Sequence, residues 1–296
     1  MTTTFQPRTR AHAIDGAIAT LIRILLWVWV ALNLAVVAWI VLSSLKTTRE
    51  IFAQPFGLPA VPQWQNFVAA WQVAGFSGAA FNTIALVAVS SVVIVVLAAP
   101  AAYVLARIPR ASAVPVTTFF ALGMAIPFQA VLVPLFLISN SLSDVMIQWV
   151  LGFWDDRISL GLFYIVLSLP FTVFLLTAYF RNLPSELEEA AAIDGASPFR
   201  TFVQIMFPLA RPGIVTALVL NIVSLWNETL LVLVLVTDPE QRTLPAALLN
   251  LYNTMQFTSN WGGLFAGIVI LVLPMIILYL WVGRRIVEGM TQGAGK

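Results

Sequence analysis

Six stretches of the chain stay apolar on every side of a helical projection for about 20 residues each: 24–42, 83–106, 116–138, 160–180, 213–236 and 264–282. A helix needs roughly 20 such residues to cross the hydrocarbon of a bilayer. Barrel strands would be about 10 residues long and would alternate in polarity, and these runs do not alternate. The pattern predicts six transmembrane helices. The first run follows Arg8, Arg10 and Arg23, as the core of a signal peptide would, but it exceeds the roughly 7–15 residues of such a core and reads as a retained span. Between spans one and two, a Pro-rich stretch at 55–62 precedes a short surface helix expected around 66–73, with Trp64 and Trp71 at headgroup level. No period repeats along the chain, so an inverted-repeat transporter finds no support.

Composition agrees. Of 296 residues 60% are hydrophobic and 9% charged, against about 25% charged in a soluble domain. A net charge of +2 is too small to suggest a nucleic-acid partner. The chain has no Cys and a single His, His12, which removes thiol nucleophiles, Cys-based metal sites and multi-His centres. Its only lysines, Lys46 and Lys296, do not follow the glycine-rich run of a phosphate loop, so the chain is expected to hold neither ATP nor metal itself.

Positive side chains set the expected orientation. With a cytoplasmic N-terminus, the inner segments hold eleven (Arg8, Arg10, Arg23, Arg107, Arg110, Arg181, Arg200, Arg211, Arg284, Arg285 and Lys296) and the outer loops four (Lys46, Arg49, Arg157 and Arg242). Six spans return the C-terminus to the same side. The expected organisation is a cytoplasmic tail 1–23, a six-helix membrane domain 24–283 and a second cytoplasmic tail 284–296.

The best-punctuated segment is the inner loop 182–212. Pro184, then Ser185 followed by Glu188 in the spacing of a capping box, predicts a helix start. The helix runs through Glu186, Leu187, Glu188, Glu189, Ala190, Ala191, Ala192 and Ile193, and Gly195 stops it. Ser197 and Pro198 then start a second helix. A membrane-surface helix would be rich in Lys and Arg. Here Glu186, Glu188, Glu189 and Asp194 make the rim acidic while the alanines allow close backbone approach, which favours a docking knob for another protein.

The run Glu189-Ala190-Ala191, then Asp194-Gly195-Ala196, Ile205 and Pro208-Leu209 resembles the cytoplasmic loop of permease subunits in binding-protein-dependent ABC importers. The segments Ser224 to Glu228 and Gly289 to Ala294 are similar to the sugar-type, maltose-like subgroup. The resemblance covers most of residues 24–296 and implies the type I importer permease fold, all-α, in a bacterial inner membrane. It implies that the helix carrying Glu188, Glu189, Ala190, Ala191, Asp194 and Gly195 is a coupling helix seated in an ATPase subunit. It also implies a second homologous permease, two ATPase subunits that bind ATP and Mg, an extracytoplasmic substrate-binding protein, and a sugar as substrate. The chain itself is then non-catalytic, and 288–296 is a secondary ATPase contact.

Ionisable groups within a span are costly and mark candidate function. Glu228 is the only acidic one. On one continuous helix Asn221, Ser224 and Glu228 fall at i, i+3 and i+7, a polar stripe flanked by Trp226 and Asn227. That stripe lines a substrate path or glues helices together. Gln129, between Pro127 and Pro134, lines the cavity or marks a packing kink, and Asn82 is expected to cap span two. Amides, a hydroxyl and a carboxylate without a buried cation suit a neutral polyhydroxyl solute. The alternatives are an ABC permease for glycerol phosphate, an amino acid or a peptide, an ion-coupled transporter, for which one acid is thin material, and a membrane enzyme.

Overall fold

The computed structural model describes residues 9–73, 75–150 and 154–294, with side chains described outside 9–17, 255–258 and 284–294. Arg8 lies outside these residues, and the side chains of Arg10, His12 and the 284–294 segment are likewise not described. Among the described residues every regular element is helical, as expected of an all-α membrane protein. By length and composition five helices suffice to cross a membrane: Ile18–Ser44, Phe76–Arg107, Phe128–Val150, Asp156–Arg181 and Trp261–Gly283. A sixth arises if Pro198–Leu209 and Arg211–Trp226, bent by 74° at their junction, count as one.

Two compact units divide the chain, one from residues 1–70 and 255–269, the other from 71–254 and 270–296. In the first, helix α1 (Thr9–Ser44) ends where Lys46 turns inward, only 1% exposed. Its Nζ donates to the carbonyls of Gln54 at 3.1 Å and Pro55 at 3.0 Å, just past the end of α2 (Thr48–Ala53), where orphan carbonyls favour a cation. Helix α2 opens on a full capping box, Thr47 with Glu50. Helix α3 (Gln65–Val73) forms where a surface helix is expected, and Asn66 in its first turn donates to the carbonyls of Ser44 and Lys46. A Cβ at Gly262 would come within 2.5 Å of the Lys46 carbonyl, so that close approach requires glycine.

The second unit is built on α4 (Phe76–Arg107) and α7 (Asp156–Arg181), its most extensive helix pair. Ala98, Ala99 and Ala102 are fully buried against Val173, Leu176 and Phe180, because small side chains let membrane helices approach closely. Helix α11 (Arg211–Trp226) packs on both, and α5 (Arg110–Ala125) lies on α7. A second cluster joins Val87, Ile94, Leu160 and Tyr164 to Leu225, Leu231 and Leu235.

Two predicted spans are not single helices. The expected run 116–138 breaks between α5 and α6 (Phe128–Val145), because Pro127 supplies no amide donor and holds Ile126 extended at φ −72°, ψ 121°. The crossing segment is therefore Phe128–Val150. The expected run 213–236 stops at Trp226 and resumes as α12 (Leu230–Leu235). Past the predicted end of span six at 282, the last helix continues as Trp261–Ala294.

Candidate functional site

The helix expected at 186–193 is α8 (Glu186–Ile193). Gly195 takes φ +77°, and the turn closes with Ala196 N donating to Ala191 O at 2.9 Å and Gly195 N to Ala192 O at 3.1 Å. This is the paired pattern in which a glycine satisfies the orphan carbonyls of a helix end. Ser197 then accepts from Arg200 N at 3.3 Å with Pro198 in the first turn of α9 (Pro198–Thr201), as expected. A π-helical stretch, Phe202–Met206, and α10 (Phe207–Leu209) complete this arm up to the bend before Arg211.

The predicted capping box does not form. Ser185 has helical dihedrals and no side-chain cap bond, and Glu188 is turned elsewhere. Its Oε1 accepts from Arg107 Nε at 2.6 Å, with both side chains 20% exposed. Arg107 also donates from Nη2 to Leu183 O at 3.1 Å. The last turn of α4 thus holds both the chain entering α8 and the helix itself. Charge-assisted bonds of this length are about twice as strong as neutral ones, which explains why Glu188 leaves its cap. In sequence Arg107 figures only as a positive charge at a span end, and no local pattern couples it to a residue 81 positions on.

Around this clamp, Ala191 is buried while Glu186, Glu189, Ala190, Ala192 and Asp194 are exposed. Ile193 and Phe199, not anticipated from the sequence as site residues, stand out at 86% and 76% exposure. The segment therefore presents acids, small residues and large apolar side chains on the surface, Ile193 and Phe199 the most exposed of them.

The polar stripe is rearranged. Asn221 is buried and donates to Thr172 Oγ1 at 2.9 Å, joining α11 to α7, whereas Ser224 one turn on is exposed. Glu228 is not on that helix, because α11 ends at Trp226. It sits in the break, accepting from Leu231 N at 2.8 Å at the start of α12 and from the Tyr164 hydroxyl at 3.2 Å. Four free amides at a helix start attract a carboxylate, and that competition ends the stripe. Asn227 spends its amide on Val223 O, yet it lines with Trp226 a cavity of about 400 Å³ between α11 and residues 271–280. Gln129 is exposed in the first turn of α6.

Asn82 does not cap span two, since α4 begins at Phe76. Its Nδ2 donates to the carbonyls of Glu240 at 2.9 Å and Arg242 at 3.2 Å, and its Oδ1 accepts from Arg157 Nη1 at 2.7 Å. Arg157 in turn meets Asp155 at 2.5 Å, and these bonds hold the Asp155 carboxyl below the usual aspartate range. A polar cluster thus ties the ends of α4 and α7 to the 237–243 loop, opposite in α4 to the end that Arg107 occupies. Among the described residues no group of His, Cys, Asp or Glu has the geometry of a metal site.

The family described as binding-protein-dependent transport system inner membrane component matches residues 94–292. The chain is 32% identical to the diacetylchitobiose uptake system permease protein NgcG of Streptomyces coelicolor, over 96% of this chain and 91% of that protein. It is 34% identical to the trehalose transport system permease protein SugB of Mycobacterium tuberculosis, over 88% and 91%. A chain from the crystal structure of a bacterial ABC transporter involved in the import of the acidic polysaccharide alginate superposes with a TM-score of 0.71, at 23% identity, over 96% of this chain and 99% of that one. The shared fold is the type I importer permease fold.

Proposed function

This chain belongs to the family of binding-protein-dependent transport system inner membrane components, and on that premise we propose that it is the permease subunit through which an ATP-driven importer moves a neutral sugar or oligosaccharide. The partners in this reading are a second homologous permease, two ATPase subunits that bind ATP and Mg, and an extracytoplasmic binding protein. Residues 24–283 form the permease domain, and both termini are cytoplasmic. The sugar reading is supported by relatives named for uptake of diacetylchitobiose and trehalose and by a cation-free lining near α11 in which Trp226 and Tyr279 offer aromatic planes beside Asn227.

The observation that carries the coupling role is the arm α8 to α10, whose exposed helix–glycine turn–helix is joined to α4 by the Arg107–Glu188 pair and, further along, by Phe202 packed on Tyr103. Ile193 and Phe199 are the apolar anchors for an ATPase groove, with Glu189 and Asp194 at the rim. When ATP draws the ATPases together, a load on α8 passes through Arg107 to the α4–α7 pair, and through the bend at Ala210 to α11. ATP favours the outward-open arrangement only insofar as it binds that arrangement of the complex more tightly. Trp226, Asn227 and the Ser224 face, with Gln129, are then the surfaces of this chain closest to the solute. Asn221 and Glu228 hold that wall in place.

The reading is tested by uptake into proteoliposomes carrying the complete complex, with a panel of neutral oligosaccharides set against amino acids and glycerol phosphate. ATP-dependent uptake confined to sugars is expected, and uptake of amino acids alone would replace the substrate assignment. Because the chain has no Cys, a single cysteine at Ala192 reports orientation. It should react with an impermeant maleimide only in inside-out vesicles.

A further inference from the structure

Beyond the transport reading, we propose that α5 and α7 enclose a binding site for an anionic phospholipid, with Arg110 and Arg181 holding its phosphate. These two arginines stand at the mouth of a cavity of about 220 Å³ whose walls include Val114, Phe120, Val173 and Phe174. Arg110 opens α5 and Arg181 closes α7. Arg181 therefore lies where a membrane-crossing helix ends, the level of lipid headgroups, and Arg110 shares its cavity mouth. Their neighbour Arg107 is neutralised by Glu188. Arg110 and Arg181 are exposed and make no ion pair among the described residues, so two positive charges converge on one opening without a counter-charge.

The chemistry below the mouth selects the rest of the ligand. Thr117 and Thr177 also line the cavity, but their hydroxyls donate to Ala113 O at 2.9 Å and Val173 O at 2.7 Å in their own helices. The remaining lining is aliphatic or aromatic. A polyhydroxyl solute would find its hydroxyls without partners there, which is costly, whereas an acyl chain loses nothing. Two guanidinium groups suit the paired oxygens of a phosphate, and basic pockets between membrane helices are a recognised setting for anionic headgroups. An amphiphile with a phosphate head and a hydrocarbon tail satisfies both ends of the site.

The test uses the full chain purified with its partners, exchanged into an equimolar mixture of phosphatidylglycerol and phosphatidylcholine, with retained lipid read by native mass spectrometry. The wild type should retain phosphatidylglycerol preferentially. The double substitution Arg110→Gln and Arg181→Gln should weaken that retention about twenty-five-fold, from roughly a factor of five per arginine. Arg49→Gln, in α2, should leave it unchanged. A thermal shift of the wild-type complex on adding phosphatidylglycerol but not phosphatidylcholine provides the same answer without a variant. Equal retention of the two lipids by the wild type, or undiminished phosphatidylglycerol in a folded double variant, overturns the proposal. An equal thermal shift on adding inorganic phosphate in place of phosphatidylglycerol overturns it as well, because the occupant would then be a soluble anion. None of these readouts depends on transport, so failure here leaves the transport reading standing, and the converse also holds.

Discussion

Arg107 and Glu188 bring one charge pair to bear on a helix otherwise held by little else. Ala191 is the only buried residue of α8, and the Leu183 carbonyl bound by the same guanidinium fixes the approach to it. Removing either partner leaves the other charge half-buried without its strongest bond, at a cost of about 1–3 kcal/mol. The pair should also show a coupling energy of at least about 0.5 kcal/mol in a double-mutant cycle of Arg107→Gln and Glu188→Gln, read from denaturation of the purified chain. Additive effects of the two substitutions would mean that the 2.6 Å bond does not orient α8. Gly213 makes a second residue-scale prediction. A Cβ there would meet the Tyr179 ring at 2.5 Å, so Gly213→Ala should destabilise by about 1–3 kcal/mol through overpacking of α11 on α7. An unchanged melting temperature would contradict that packing.

Among elements, punctuation is legible in the sequence where it is local and illegible where distant groups compete for it. Gly195, Ser197 and Pro198 perform the roles their chemistry suggests, because a left-handed turn and an N-cap depend only on a few adjacent residues. Ser185, Asn82 and Glu228 do not. Each has a local cap or stripe position available by spacing, and the structure shows Glu188, Asn82 and Glu228 bonded instead to Arg107, the 240–242 carbonyls and Tyr164. Hydropathy alone merges α5 with α6 and α11 with α12, because an apolar run does not report a missing amide at Pro127 or a carboxylate drawn to a helix start. At the start of α7, Asp155 caps the helix and binds Arg157. The Arg157 bonds lower its pKa, so this contribution is complete above pH 3.8, the ordinary value, and is lost as pH falls through the lowered native value. Asp155→Asn should therefore reduce stability at pH 7, and the difference from wild type should shrink as the solution is acidified well below pH 3.8. A pH-independent difference would mean that shape rather than charge matters at that cap.

On the scale of the whole molecule, the all-α membrane class and the family follow from apolar runs and a short loop motif, because those signals are spread over many residues and survive local error. The parts that sequence does not show are long-range: the Arg107 clamp, the Asn82–Arg157 cluster and the exposure of Ile193 and Phe199. Their meaning depends on which helices become neighbours. The central claim is that energy enters this chain through α8. Gly195→Val places a β-branched residue at φ +77°, a region costing about 1–2 kcal/mol for a side chain, and so disturbs the turn without touching the membrane core. The measurement that decides is sugar uptake together with binding-protein-stimulated ATP hydrolysis in proteoliposomes of the complete complex, wild type against Gly195→Val. The expected result is a correctly inserted variant whose uptake falls at least tenfold and whose ATP hydrolysis no longer responds to the binding protein. Wild-type uptake and stimulation in that variant, or ATP-independent uptake by the purified chain alone, would contradict the account.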